Sequence, residues 1–115
     1  MHEVSLVHAL FDQADAAVAA YPRAAVRQVR VRIGALAGVE PELFRSAFDG
    51  SRRERGYPAA EHALVFSPAS YRCAECGGAM PGPGPSRCPA CAGPARLEAG
   101  GEIILERIEL EVSDV

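Results

Sequence analysis

The chain has 115 residues, 49% of them hydrophobic and 23% charged, enough for a small globular unit and too few for two ordinary domains. Twelve Arg stand against fifteen Asp and Glu for a net charge of −3, so the basic field of a non-specific nucleic-acid binder is missing. No Arg or Lys precedes Arg23, and Asp12, Gln13 and Asp15 interrupt the first apolar run. That pattern predicts neither a signal peptide nor a membrane span, and hence a cytoplasmic protein with no membrane or nucleic-acid partner.

Val7, Leu10, Phe11, Ala14, Val18 and Tyr21 recur at spacings of three and four, which predicts a helix over Val4–Tyr21 that Pro22 ends. His8, Asp12, Asp15 and Ala19 fall on its other, solvated side. Gln28 to Ile33 alternates strictly, so Val29, Val31 and Ile33 share the buried face of a strand. Pro41 then opens a second amphipathic helix carrying Leu43, Phe44, Ala47 and Phe48. Arg52, Arg53 and Arg55 read as a solvated helix end and loop. Ala63–Phe66 is a short strand stopped by Pro68, with His62 at its entrance in a structural or exposed role.

From Pro68 to Gly101 the composition changes to Cys, Pro and Gly with almost no aliphatic residue beyond Leu97. Such a stretch builds no hydrophobic core of its own and needs a metal to hold it; it reads as loop. After Gly101, Ile104, Ile108, Leu110 and Val112 share one parity and Glu109 and Glu111 the other, a strand that pairs with the earlier ones. The expected fold is α+β: two helices on a small antiparallel sheet, with an inserted zinc-ribbon-like module. Residues 1–67 plus 102–115 form one domain, and 68–101 the metal module.

Cys73, Cys76, Cys88 and Cys91 form two CxxC knuckles separated by 11 residues. Each knuckle aims two thiolates at one point, and two knuckles close a tetrahedral four-sulfur site with no position left for substrate. In a reducing compartment this spacing indicates a structural zinc rather than disulfides; a rubredoxin-like iron centre is the competitor. With no cysteine left over as nucleophile and no acid–base partner evident for the three His, an enzyme is not expected.

The start of the chain is a second candidate. A residue as large as His2 normally prevents removal of the initiator, so Met1 keeps its amine. That amine, the His2 amide nitrogen and the His2 imidazole form adjacent chelate rings. With one more deprotonated amide, that of Glu3, four nitrogens would lie in a plane, which suits Ni(II) or Cu(II) better than Zn(II).

Met1-His2-Glu3-Val4-Ser5-Leu6 opening a helix, then Val31-x-Ile33-Gly34-x-Leu36-x-x-Val39-x-Pro41-x-Leu43, the paired knuckles, and a terminal Ile108-Glu109 strand together resemble the HypA/HybF family over nearly the whole chain. The resemblance implies a nickel metallochaperone of nickel-iron hydrogenase maturation. It puts Ni(II), as transferred cargo, on His2 with backbone nitrogens of Met1 to Glu3, and structural zinc on Cys73, Cys76, Cys88 and Cys91. It implies as partners the GTPase HypB and the hydrogenase large-subunit precursor, and in some members urease maturation proteins. The first-helix face with His8, Asp12 and Asp15 is then expected to form part of the HypB contact, against the plainer reading of a solvated face. The rival from another class is a zinc-ribbon nucleic-acid or transcription adaptor. Near the knuckles it would want more than Arg72, Arg87, Arg96 and Tyr71.

Overall fold

The computed structural model describes residues 2–82 and 84–112. Helix α1 spans His2–Ala17; a 3-10 turn, Arg23–Ala25, leads into strand β1, Val26–Gly34. Helix α2 spans Pro41–Ser51, and five strands follow: β2 Glu61–Ser67, β3 Ser70–Cys73, β4 Ala79–Met80, β5 Ala95–Ala99 and β6 Ile103–Leu110. They form two three-stranded sheets, ordered β2-β1-β6 and β4-β3-β5. Among the described residues, no helix is long and apolar enough to cross a membrane.

The chain divides into two compact units. The first takes the stretch up to Val31, Val39–Val65, and the chain from Ile104 on; the second takes Arg32–Gly38 and Phe66–Ile103. In the first, α1 buries Val7, Leu10, Phe11 and Ala14, with Val18 buried just beyond its end, and α2 buries Phe44 and Phe48. Phe11 stacks on Phe48 at 5.0 Å between ring centroids and on Tyr57 at 5.2 Å. Each such ring removes a large apolar surface from water, and the stacked geometry adds to that burial. His62 closes the stack edge-on against Phe48 and pairs its Nδ1 with Asp49 Oδ1 at 3.2 Å, the structural role expected of it.

Val29, Val31 and Ile33 are all buried, as their alternation predicts, and β6 pairs with β1 as its apolar pattern required. The bonds Glu111 N–H to Ala25 O and Gly34 N–H to Glu102 O, at opposite ends of the ladder, run these two strands antiparallel. The parity of β6 is less regular than expected. Ile104 is 42% exposed, while its neighbours Ile103 and Leu105 are half-buried. An edge strand is covered on neither face along its whole length.

Three further expectations are corrected. Helix α1 begins at His2 and ends at Ala17, short of Tyr21, which turns outward and is 48% exposed. The backbone before Pro22 is biased away from helix, and Tyr21 N–H closes a tight turn on Val18 O instead. The segment around the cysteines is no loop: Tyr71 pairs with Met80 on one side and with Leu97 on the other, in antiparallel register. It also has a small cluster of its own, Cys73, Met80 and Cys88, packed by Tyr71 and Ala95.

The third correction concerns the charged residues of α1. The Arg55 side chain is only 19% exposed and donates to Asp12 Oδ1 at 2.5 Å and to Asp15 Oδ2 at 3.0 Å, with His8 Nδ1 at 3.3 Å. Tyr57 OH donates to Asp15 Oδ1 at 2.6 Å, and Arg23 pairs with the same carboxylate at 3.3 Å. Asp12 and Asp15, one helical turn apart, thus form a two-carboxylate receptor for a guanidinium from the loop after α2. Burial acts to raise the Asp15 pKa, but Tyr57, Arg55 and Arg23 together hold it below the ordinary carboxylate value. Burial first, and then the hydrogen bond to Asp15, push the Tyr57 phenol up to about 12. Arg52 is also half-buried and donates to Ala60 O at 2.7 Å; of the three arginines, Arg53 alone is exposed as expected.

In the second unit three passes of the chain meet through their backbones. Gly34 N–H donates to Glu102 O, Ala35 N–H to Ser67 O and Leu36 N–H to Gly100 O, at 2.8–2.9 Å. A Cβ on Gly34 would lie 2.3 Å from the Gly100 carbonyl carbon, and one on Gly100, at φ +97°, would lie 2.6 Å from Ala69 Cα. Only glycine fits at these two positions.

Candidate metal centres

The first knuckle begins where β3 ends. Gly77, at φ +73°, turns the chain so that its N–H reaches Cys73 O at 3.1 Å, while Cys73 N–H bonds Gly78 O at 2.9 Å. The second knuckle repeats these bonds: Ala92 N–H to Cys88 O at 2.8 Å, and Cys88 N–H to Gly93 O at 3.0 Å. Ala92 occupies the place of Gly77 and takes the same left-handed backbone at φ +60°. For a residue with a Cβ that conformation is strained, by about 1–2 kcal/mol.

The four sulfurs lie within 4.8 Å of one another, with Cys73 Sγ 3.4 Å from Cys91 Sγ and Cys76 Sγ 3.8 Å from Cys88 Sγ. A tetrahedral ion with metal–sulfur bonds of about 2.3 Å sets its thiolates about 3.8 Å apart, so the quartet has the dimensions of a four-sulfur site. Amides support the charge such a site gathers: Cys76 N–H and Glu75 N–H point at Cys73 Sγ at 3.5 and 3.4 Å. The Cys76 amide foremost, against burial and with help from the Glu75 amide, lowers the Cys73 pKa to about 6. The Gly93 amide acts to lower that of Cys91, but the adjoining thiols and burial outweigh it and push Cys91 up to about 12. Cys73 and Cys91, in contact, are thus pushed in opposite directions, and a divalent cation is what makes adjacent thiolates compatible. The donor set fits a tetrahedral, thiophilic ion such as zinc.

Space at the quartet is tight. A Cβ on Gly93 would lie 2.9 Å from Cys73 Sγ and 2.6 Å from Glu75 Cγ. Two arginines complete the arrangement and were missed in the sequence. Arg72 donates to Gly77 O at 2.7 Å and Arg87 to Ala92 O at 3.3 Å, so each knuckle is braced by the residue before its first cysteine. The signal was present as a repeat: Arg72-Cys73-x-x-Cys76-x-Gly78 and Arg87-Cys88-x-x-Cys91-x-Gly93.

At the start of the chain, His2 is exposed and Glu3 half-buried on the first turn of α1. Met1, assigned to nickel with them, lies outside the described residues. The first amides of a helix have no carbonyl partner within it, so the His2 nitrogen belongs to the set that a helix leaves uncommitted, while the Glu3 amide bonds its own carboxylate. Glu3 Oε2 accepts from Glu40 N–H at 3.1 Å, and chiefly that bond holds its carboxyl below the ordinary range. Glu40, which the sequence reading passed over, is thereby fixed beside the start of α1. Its own carboxylate caps α2, accepting from Glu42 N–H at 3.3 Å, with Pro41 as the first helical residue.

A family model described as hydrogenase/urease nickel incorporation, metallochaperone, hypA matches residues 1–110. The chain is 33% identical to the hydrogenase maturation factor HypA of Shewanella halifaxensis, over 96% of this chain and 98% of the relative. It is 31% identical to that of Wolinella succinogenes, over 99% and 98%. The solution structure of the Ni metallochaperone HypA from Helicobacter pylori superposes with a TM-score of 0.73 at 22% identity, covering 96% of this chain and 98% of that one. The solution structure of a HypA protein gives 0.77 at 23%, covering 96% and 97%. These two share the fold of two helices with small antiparallel sheets. On the match along its length, the chain belongs to the HypA family of hydrogenase and urease nickel-incorporation metallochaperones.

Proposed function

We propose that this chain carries Ni(II) on its N-terminus and hands it over during hydrogenase maturation, with zinc on Cys73, Cys76, Cys88 and Cys91 as a structural ion. The observation that carries the reading is an exposed His2 directly after Met1 in a chain of this family. The domain of residues 1–67 and 102–115 holds the cargo; the module of residues 68–101 holds zinc, whose role is to crosslink the two knuckles. HypB and the hydrogenase large-subunit precursor are the proposed partners, urease maturation proteins a further set, and the cytoplasm the place of work. The chain acts as a carrier, without catalysis.

The proposed ligands are the Met1 amine, the His2 amide and imidazole, and Glu3 beside them; the Glu3 carboxylate is held by Glu40 N–H at 3.1 Å.

Titration of untagged protein with Ni(II) tests this. One nickel should bind per chain beyond the zinc, and His2→Ala or an N-terminal extension should abolish that binding with zinc content unchanged. Protons compete for the amine, amide and imidazole, so affinity should fall as pH drops through about 6.5. Nickel binding that survives His2→Ala, or that is indifferent to pH from about 8 to 5.5, would refute the reading.

A further inference from the structure

The four sulfurs of the quartet are unequal in access and are matched across the knuckles. The first cysteine of each knuckle, Cys73 or Cys88, is buried, and the second, Cys76 or Cys91, is exposed. Each exposed sulfur touches a buried one of the other knuckle: Cys91 Sγ meets Cys73 Sγ at 3.4 Å, and Cys76 Sγ meets Cys88 Sγ at 3.8 Å. Backbone bonds set the knuckles in that relation, since Ala74 N–H donates to Pro94 O at 2.9 Å and Cys73 stands opposite Ala95 in the β3–β5 register.

We propose that the quartet is an oxidation site for peroxide, which converts it to two crossed disulfides, Cys73–Cys91 and Cys76–Cys88, and frees the ion. The inference rests on the structural-zinc reading. An oxidant reaches the exposed thiolate of each pair first. That sulfur attacks one peroxide oxygen, the O–O bond breaks and the other oxygen leaves as hydroxide, so the exposed cysteine becomes a sulfenic acid. The buried thiolate it touches then attacks the same sulfur; the S–S bond forms, the S–O bond breaks and a second hydroxide leaves. Two electrons pass from the two sulfurs to one peroxide, and two protons turn both hydroxides to water. The other pair repeats this with a second peroxide, and zinc keeps its charge while losing its four ligands. Each step asks only that sulfurs already in contact close to bonding distance. Disulfides within a knuckle would leave the halves of the site unjoined, whereas the crossed pair preserves the crosslink that the ion supplies.

The test treats zinc-loaded, untagged protein, freed of reductant, with hydrogen peroxide alone. About two equivalents should release one zinc, read with a chromogenic chelator, and a thiol reductant with added zinc should restore the loaded form. Cleavage after Glu75 and after Arg87 separates Cys73, Cys76 and the second knuckle from one another. Tandem mass spectrometry should then find Cys73 joined to Cys91 and Cys76 to Cys88. With peroxide limiting, a sulfenic-acid trap should label Cys76 and Cys91 and leave Cys73 and Cys88 bare. Disulfides within a knuckle, sulfenic acid on Cys73 or Cys88 first, or zinc retained under excess peroxide would overturn the proposal and leave the zinc reading standing. A quartet that binds no zinc would overturn both.

Discussion

In the unit of α1 and α2, Phe11, Phe44, Phe48 and Tyr57 are almost wholly removed from water beside Val7, Val26 and Val29, and the helices close over them. In the cysteine-bearing unit the buried cluster is Cys73, Met80 and Cys88, so two of its three members are thiols of the candidate metal site. The first region carries its stabilising free energy in its own side chains, whereas the second has little of its own and gathers four thiols where an ion could crosslink it. A sheet of two to five residues per strand, such as β4-β3-β5, has too little apolar surface to persist otherwise.

The sharpest way to break this contrast is to take the ion away. Cys73→Ser, or exhaustive chelation, should abolish the β4-β3-β5 pairing, because structural zinc supplies about 10 kcal/mol or more to such modules. Far-UV circular dichroism should retain its helical signal, and amide NMR should lose dispersion for residues 70–99. A cysteine-bearing sheet that stays ordered without metal would remove the distinction.

The converse change is Phe48→Ala, which empties the centre of the aromatic stack. It should cost the first unit about 3–5 kcal/mol in urea unfolding while metal content stays at one ion per quartet.

Asp15→Asn is expected to come next. It weakens the receptor for Arg55, Arg23 and Tyr57 and should cost about 1–3 kcal/mol at neutral pH. The folded pKa of Asp15 is depressed, so its contribution is fully present above the unfolded value of about 3.9 and is lost as pH falls through the folded value. Tyr57 works at the other end. Its folded pKa of about 12 exceeds the ordinary 10.0, so its contribution holds below 10 and drains away as pH climbs toward 12. Denaturation curves across pH should show Asp15→Asn losing the acid slope.

The smallest effect belongs to the second knuckle. Ala92→Gly relieves the left-handed strain at a cost in backbone entropy, and should raise stability by no more than about 1 kcal/mol. It would make the two knuckles alike in residue type at this position.

Local signals were readable in the sequence. Val29, Val31 and Ile33 showed their strand because burial on one face imposes a period of two, and the four cysteines showed that they come together because a spacing fit for a tetrahedral ion aims them at one point. The Arg55 receptor was not readable: His8, Asp12 and Asp15 are 40 to 47 residues away from it, and no periodicity connects them. The proposed HypB contact on that face must accordingly reckon with carboxylates already engaged within the chain. Strands β3 and β5 escaped notice because their alternation, Tyr71 and Cys73 in one and Ala95, Leu97 and Ala99 in the other, runs over only four and five residues with few large apolar side chains. Glu40 was overlooked because its place beside Glu3 depends on a bond across 37 residues.

The backbone junction at Gly34, Ser67 and Gly100 also has an evolutionary side. Main-chain bonds hold the departure and the return of the excursion at one point, so closure of that loop does not depend on what happens along it. Doubling the Gly- and Pro-rich spacer between the knuckles would then add only about 0.6 kcal/mol of closure entropy. Insertions and deletions between Pro81 and Ser86 should be among the most freely tolerated in the lineage, while a single methyl group at position 34 or 100 should be among the least.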